Sequence, residues 1–336
     1  MMQPTTTHDV LIVGGGPIGI ACGIEATKRG ISSIIVEKGC LLNSLQCFPP
    51  AVVFFSSPHL LELGDIPMVV AREKPSRAEL LFYYRRVAEH FELELRLYDK
   101  VESIAREPGN LFRITTGGGQ EHRARFVVLA IGCYDFPNLL NVPGEDLPKV
   151  SHYYTEPYPH YRRKVAVIGG QNSAVEAALQ LYRNGAQPTL IHRGSTVGER
   201  VKYWIRPDIA NRIQEGSIPA YFETTVERID EKTIRLRQKD GSTVELENDF
   251  VLALTGYHTD FGFLKNVGVE VDAETLKPQH DPETKETNIP DVYIAGVATG
   301  GKDAGSIFIE NARVHAKQIL EDIERKNGGA GKEPWE

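Results

Sequence analysis

Apolar residues in this chain come in short blocks separated by polar or glycine-rich breaks. Residues 10–13 (Val-Leu-Ile-Val) and 33–36 (Ser-Ile-Ile-Val) are β-branched runs of strand length, the pattern of strands buried on both faces of a parallel sheet. Between them residues 17–28 read as a helix that stops before Gly30, which predicts one β-α-β unit. From Lys164 the same order of signals returns. In both copies the second apolar run ends on a polar residue 23 positions after the first glycine, Gly14 to Glu37 and Gly169 to His192.

Other blocks fill in the architecture. Residues 44–75, rich in Pro, Ser and aromatics, predict a long irregular segment, and 76–92 predict a helix with Ser76 as its cap. Residues 94–131 alternate around two glycine turns, which predicts an antiparallel meander returning through the run 126–132 to the parallel core. Residues 135–161 hold five prolines among aromatics, the composition of a domain crossing. A second meander with an Asp240-Gly241 turn spans 220–254; a last strand at 291–296 and a helix from Ser306 to about Arg325 follow. The predicted fold is α/β: two Rossmann-like dinucleotide-binding domains of a three-layer ββα type, the second inserted into the first. The expected boundaries are 1–138, 139–250 and 251–330.

A length of 336 residues suits two domains, each with its own core. The net charge of -7 argues against nucleic acid as a partner, because phosphate binding requires a basic face. The first residues show no basic leader or apolar signal core, and no apolar run nears the ~20 residues of a membrane helix, so a cytoplasmic location is expected. Cys22, Cys40, Cys47 and Cys133 are spaced for neither a disulfide framework nor a zinc site, and no metal is expected.

The glycine motifs carry nucleotide chemistry. In Gly14-Gly-Gly-Pro17-Ile18-Gly19 the first glycine allows a tight turn, Gly16 lets the backbone approach a pyrophosphate, and Gly19 permits close helix packing. The helix start offers free N–H groups to phosphate, and Glu37 accepts from ribose hydroxyls. The second motif, Gly169-Gly170-Gln-Asn172-Ser173-Ala174, has Gln171 in place of the middle glycine. It ends on His192-Arg193 rather than on an acid. A carboxylate there would repel a 2'-phosphate, whereas Arg193 can fork onto one, so NADPH is expected over NADH.

Two nested nucleotide units resemble the low-molecular-weight thioredoxin reductase-like flavoproteins. Within that group Glu37-Lys38-Gly39, Asn43-Ser44, Phe54-Phe-Ser-Ser57, Gly169-Gly-Gln-Asn-Ser-Ala-Val-Glu176, Tyr203-Trp204, Leu254-Thr-Gly-Tyr257 and Ile307-Phe-Ile-Glu-Asn311 are similar to the bacillithiol-disulfide reductase family. The resemblance implies FAD on the first unit, held by Gly14, Gly16, Pro17, Ile18, Gly19, Glu37, Lys38, Asn43, Gln46, Val101, Gly132, Gly296, Val297, Ile307 and Phe308. It implies NADPH on the second, held by Gly169, Gly170, Asn172, Ser173, Ala174, His192 and Arg193. A helix starting near Ile307-Phe308 would aim its N-terminus at the flavin. Broader relatives carry Asp where this chain has Val297.

Disulfide reductases of this architecture use a Cys-x2-Cys or Cys-x4-Cys pair, and this chain has neither. Some members of the family carry a cysteine where Ile18 stands. Cys47 is the candidate catalytic thiol by position, since its segment passes the flavin ring in related folds; Cys22 and Cys133 read as structural. His152, His258 and His315 are open as proton sources, and Tyr203-Trp204 either covers the nicotinamide or packs a helix. The resemblance implies an NADPH-dependent FAD oxidoreductase that reduces a bacillithiol disulfide-like substrate. The alternative is electron transfer to a ferredoxin or flavodoxin; a monooxygenase is disfavoured because Asp146 and Pro148 stand where its motif before His152 requires other residues. A non-catalytic NADPH sensor is a further reading. The expected partner is a small-molecule disulfide or a small redox protein, with homo-oligomers and without nucleic acid or membrane.

Overall fold

The structure, a computed structural model, describes residues 7–329, which fall into two compact units. The chain begins in the first unit with β1 (Thr7–Val13), α1 (Pro17–Lys28), β2 (Ser33–Val36), α2 (Asn43–Gln46), α3 (Pro58–Leu61), α4 (Arg77–His90), β3 (Leu95–Arg96), β4 (Val101–Glu107), β5 (Leu111–Thr116) and β6 (Glu121–Leu129). After β7 (Phe136–Pro137) come β8 (Val150–Ser151), β9 (Lys164–Ile168), α5 (Asn172–Arg183), β10 (Gln187–Ile191), α6 (Arg206–Gln214), β11 (Ala220–Tyr221), β12 (Thr224–Ile229), β13 (Thr233–Gln238), β14 (Thr243–Glu247) and β15 (Phe250–Ala253). From β16 (Tyr257–His258) the chain continues into α7 (Phe261–Val267), β17 (Val292–Ile294), α8 (Ile309–Ala312) and α9 (Val314–Gly329).

The first unit's sheet runs β3-β2-β1-β6-β5-β4, with β17 also paired to β6. β6 has nine residues because it serves two arrangements. Its first half pairs antiparallel with β5, and Val127–Leu129 pair parallel with β1 and β17. Alternate residues Leu11, Val13, Ile34, Val36, Val127, Leu129, Val292 and Ile294 fill one face of the core. α4 starts on a complete capping box in which Ser76 and Glu79 bond each other's backbone amides. Its buried tyrosines fix the long segment before it: the Tyr83 hydroxyl donates to Ile66 O (2.6 Å) and that of Tyr84 to Leu61 O (3.0 Å).

The second unit contains a parallel sheet in the order β11-β10-β9-β15-β8 and an antiparallel ribbon β12-β13-β14. α5 buries Ala174, Val175, Ala177, Ala178 and Leu181 on the sheet face. Compact grouping assigns this unit Phe48–Ala51 and Pro137–Tyr257, so it ends seven residues past the expected 250. The reason is β15, whose four residues pair with β9 and therefore complete this sheet.

The predicted single helix from Ser306 is two helices. Residues 296–306 form tight turns broken at Gly301, and Ile307 and Phe308 are extended. Asn311 causes the late start: its Oδ1 accepts from Phe308 N (2.8 Å) and its Nδ2 donates to Ser306 O (2.9 Å). No described helix is long and apolar enough to cross a membrane.

α9 is tied to the sheet by a buried polar contact. The Tyr293 hydroxyl, fully buried on β17, donates to Asp322 Oδ2 (2.7 Å), and Arg325 and Lys326 flank that carboxylate. Burial works to raise the Asp322 pKa, but the bonds from Tyr293 and Arg325 outweigh it and hold the carboxyl below its usual range. Asp322→Ala is expected to cost about 1–3 kcal/mol in urea unfolding, because it strands the buried Tyr293 hydroxyl, while Lys326 keeps Glu286 and Asp291 and Arg325 turns to solvent. A loss below about 0.5 kcal/mol would show that α9 is held by apolar packing alone.

Candidate functional site

Two strand-to-helix turns have the shape of nucleotide cradles. At the end of β1, Gly14 has φ +111°, and a side chain there would start 2.4 Å from Ala130 O. Gly19 touches the same turn: an added Cβ would lie 1.9 Å from Gly14 O, so α1 crosses its strand backbone to backbone. Gly16, the N-cap of α1, is extended and no side chain caps the helix, while the space in front of Gly16 is open. Uncapped amides beside open space fit a diphosphate. Pro17 occupies the first turn, where its missing N–H costs nothing.

Glu37 closes this turn. Its buried carboxylate accepts from Gly15 N (2.7 Å) and Gly39 N (2.9 Å), leaving further lone pairs for hydroxyl donors. Lys38 pairs with Asp135. Gly14, Glu37, Lys38, Val101 and Gly132 line one cleft of about 170 Å³ together with Lys100, Ile131, Cys133, Asp260 and Phe263. These last five carry no motif in the sequence; the start of β4, the end of β6 and the first turn of α7 bring them to the cleft.

The remaining predicted residues of the first unit divide into two groups. Asn43 and Gln46 lie on α2; Asn43 Oδ1 receives the Cys40 thiol (3.7 Å), and Gly132 faces Ser44 of the same turn. Gly296 (φ +73°) packs on Ile18, its Cβ direction 3.2 Å from the Ile18 side chain, so the glycine motif and the chain after β17 meet. Val297 opens the tight turns, Ile307 packs over Gly300, and Phe308 is 47% exposed. Because Ile307 and Phe308 are extended and α8 has four residues, the expected long helix dipole does not start at these positions.

In the second unit Gly169 has φ +139° and its Cβ direction meets Leu254 O at 2.5 Å and Ala174 at 2.9 Å. Gln171 is the extended N-cap of α5, and its amide folds over Gly198. The His192 ring covers Gly170. Asn172 brackets the following loop, donating to Arg200 O (3.0 Å) and accepting from Lys202 N (2.8 Å). Lys202, buried, pairs with Glu176. Ser173 and Arg193 face solvent at the open end of the turn. Burial lowers the His192 pKa, and the Arg193 charge lowers it further, so the ring is neutral beside that guanidinium.

The thiols separate by exposure. Burial pushes Cys22 up to about 12 and Cys133 up to about 11, and both are inert as nucleophiles. Cys40 is half-buried and Cys47 is exposed, its Sγ 3.5 Å from Gln46 Oε1. Among the described residues no cluster of His, Cys, Asp and Glu could hold a metal ion.

Of the three histidines left open by the sequence, His152 lies 3.4 Å from Glu145, and His258 stacks on Phe136 and Phe261. His315 plays a structural part, because its Nδ1 accepts from Gly296 N (3.1 Å), which requires the neutral ring. Burial, with Lys285 and His280 nearby, pushes it down to about 4. The unfolded ring titrates near 6.5, so the unfolded chain binds more protons between those values and stability falls as pH drops from 6.5 to 4. Discounted for partial solvent access, the loss is roughly 2 kcal/mol. Unfolding measured against pH should show this acid-side loss shrinking by that amount in His315→Asn, which keeps an acceptor without a titration; parallel curves would sink the assignment.

Comparison with known proteins agrees with this geometry. Residues 11–296 match the family model described as pyridine nucleotide-disulphide oxidoreductase. The chain is 39% identical over 316 residues to bacilliredoxin reductase Bdr of Bacillus subtilis, covering 94% of this chain and 97% of that one. The solved bacillithiol disulfide reductase Bdr of Bacillus cereus superposes with a TM-score of 0.92 at 39% identity, over 96% of this chain and all of that one. A ferredoxin–NADP reductase of Oceanobacillus iheyensis is more distant, 27% identical over 86% of this chain and 84% of that one. With both turns, both sheets and nearly the full length in agreement, the chain belongs to the pyridine nucleotide-disulphide oxidoreductases, enzymes that work with FAD and NADPH.

Proposed function

We propose that this enzyme uses NADPH, through FAD, to reduce a low-molecular-weight disulfide of the bacillithiol type. The observation that carries the reading is the near-complete match, at 39% identity, to reductases whose names state that chemistry. Bound FAD supplies an electron-carrying ring and NADPH a hydride; the protein's part is to hold both and to present the disulfide.

In this reading the first turn, with Gly14, Gly16, Pro17, Ile18 and Gly19, receives the FAD diphosphate. Glu37 receives its ribose, and the cleft at Lys38, Val101 and Gly132 its adenine end. Asn43, Gln46, Gly296, Val297, Ile307 and Phe308 lie toward the ring end. Gly169, Gly170, Asn172, Ser173 and Ala174 receive the NADPH diphosphate, and His192 and Arg193 its 2'-phosphate. A neutral imidazole beside an exposed guanidinium supports the phosphate assignment, because no carboxylate stands at the strand tip to repel it. Cys47, exposed, is the thiol we assign to meet the substrate. A cytoplasmic, homo-oligomeric enzyme is part of the same proposal.

Electron transfer to ferredoxin is the competing reading, favoured by the more distant relative. Steady-state NADPH oxidation with bacillithiol disulfide, ferredoxin or oxygen as acceptor separates the two. Turnover with the disulfide is expected; turnover with ferredoxin alone would overturn the reading. Arg193→Ala is expected to raise KM for NADPH roughly 10- to 100-fold, the loss of one charge-assisted phosphate contact, while leaving KM for NADH unchanged. An equal rise for both nucleotides would remove Arg193 from phosphate recognition.

A further inference from the structure

Asn172 and Glu176 stand one turn apart on α5 and present one face to the segment that leads from β10 to α6. Residues 197–205 of that segment lie across the second glycine turn as a strap. Gly198 N donates to Gly170 O (2.7 Å), and the Gln171 amide folds over Gly198, where any side chain would collide with it. The Asn172 side chain grips the strap from one side, donating to Arg200 O (3.0 Å) and accepting from Lys202 N (2.8 Å). Val197 and Val201 are buried in the core that α5 shares with the sheet. Lys202 itself is 7% exposed; its ammonium meets Glu176 and lies 5.7 Å from the centre of the Trp204 ring. Stability does not account for such a pair, since desolvation offsets the Coulomb attraction and two apolar side chains of the same volume would serve as well. What an ion pair adds is a fixed place, because an ammonium must meet its carboxylate whereas apolar groups can slide. The strap so held leaves Arg200 and Tyr203 exposed.

We propose that Lys202, through Glu176, is a positioning residue for NADPH: the pair holds the strap against the second glycine turn, so that residues 198–203 form one wall of the nucleotide site. This rests on the placement of NADPH on that turn in the reading above, and extends it to two side chains outside the glycines and the strand tip. Lys202 acts through the backbone. Its ammonium is taken by Glu176 and by the Trp204 ring, so it carries no charge to a phosphate; what it sets is the place of the Arg200 carbonyl and of the exposed Arg200 and Tyr203 side chains. Removing one partner leaves the other charge buried and unpaired, and the strap then moves out to hydrate it. A wall that must be ordered at each binding event weakens the nucleotide by that ordering cost. Trp204 accordingly packs on the strap and stands with its ring perpendicular to that of Tyr203.

Trp204 and Trp335 are the two tryptophans of the chain, so in a Trp335→Phe background the emission of Trp204 reports the strap. NADP+ is titrated into the FAD-loaded protein while that emission is followed, and calorimetry gives Kd. The parent protein should show a saturable change. Lys202→Met should raise Kd for NADP+ and KM for NADPH about tenfold or more, with kcat at saturation falling less. Lys202→Arg, which keeps a cation for Glu176, should recover most of the affinity. The double variant Lys202→Met/Glu176→Met separates positioning from folding: it should unfold in urea as the parent does, yet bind NADP+ as weakly as Lys202→Met. Parent-like Kd in a folded Lys202→Met, or in the double variant, overturns the proposal, as does an Arg variant as weak as the Met one. Should Lys202→Met lose its flavin, the double and Arg variants decide. Binding that Arg193→Ala weakens and the Lys202 variants leave alone defeats the strap and keeps NADPH on this turn. Binding that is indifferent to Arg193 and silent in Trp204 emission puts the nucleotide elsewhere and defeats that placement.

Discussion

The carboxylate of Glu37 ties the glycine turn of the first unit to the segment that follows β2. One oxygen holds Gly15 in the glycine turn and the other holds Gly39 at the start of the next segment, two charge-assisted bonds of about 1.5–3 kcal/mol each. Leu42 N then returns to Gly15 O (3.0 Å), and Tyr98 N reaches Gly39 O (3.0 Å). The segment from Lys38 to Cys47 therefore starts from a nailed point and is pinned again before α2. Without that anchor Asn43, Gln46 and both cysteines would sit on a free loop, and a site on a free loop loses the sub-ångström placement that reacting groups need.

The two turns show one local device adapted to two different ends. In the first, the residue at the strand tip is an acid that bonds the turn's own amides. In the second, His192 covers Gly170 with its ring and makes no such bond, so the turn is steadied instead by Asn172 across to Arg200 and Lys202. The swap of Gly16 for Gln171 follows the same logic. Open space in front of Gly16 becomes a position whose side chain turns away to pack over Gly198. What is kept in both is the close crossing of helix over strand, enforced by Gly19 in one and by Gly169 against Ala174 in the other.

These devices were legible because they are local. Strand runs of four to seven residues, glycines with positive φ, and the Ser76–Glu79 cap are each decided within one or two turns of chain. Features set at longer range were not. The apolar run of β15 looks the same whichever sheet receives it, and only its pairing with β9 assigns it to the second unit. The run from Ser306 reads as helix until the Asn311 side chain captures the amide of Phe308. Lys202 finds Glu176 across 26 positions and His315 finds Gly296 across 19, separations at which no period in the sequence points from one to the other. The left-handed Leu42 is invisible for a different reason: leucine carries no signal for that conformation, and tertiary contacts impose it.

Exposure alone sorts the four thiols, and that sorting bears on why a chain of this architecture functions without a closely spaced pair. Cys22 sits inside α1 against the sheet, and the charged form of a sulfur there is strongly disfavoured. Cys133 lies just past the end of β6 with Asp135 two residues on, whose negative charge adds to the cost of ionising it. A nucleophilic sulfur needs solvent or a positive neighbour to carry its charge, yet must not wander. Cys47 differs from both: its backbone continues a helical turn bonded to Asn43, while its side chain extends into water. The order of that segment comes from backbone bonds rather than from bulk: a turn clamped at Glu37 and folded back through Leu42 sets where Asn43 stands, and Asn43 O then fixes Cys47 N.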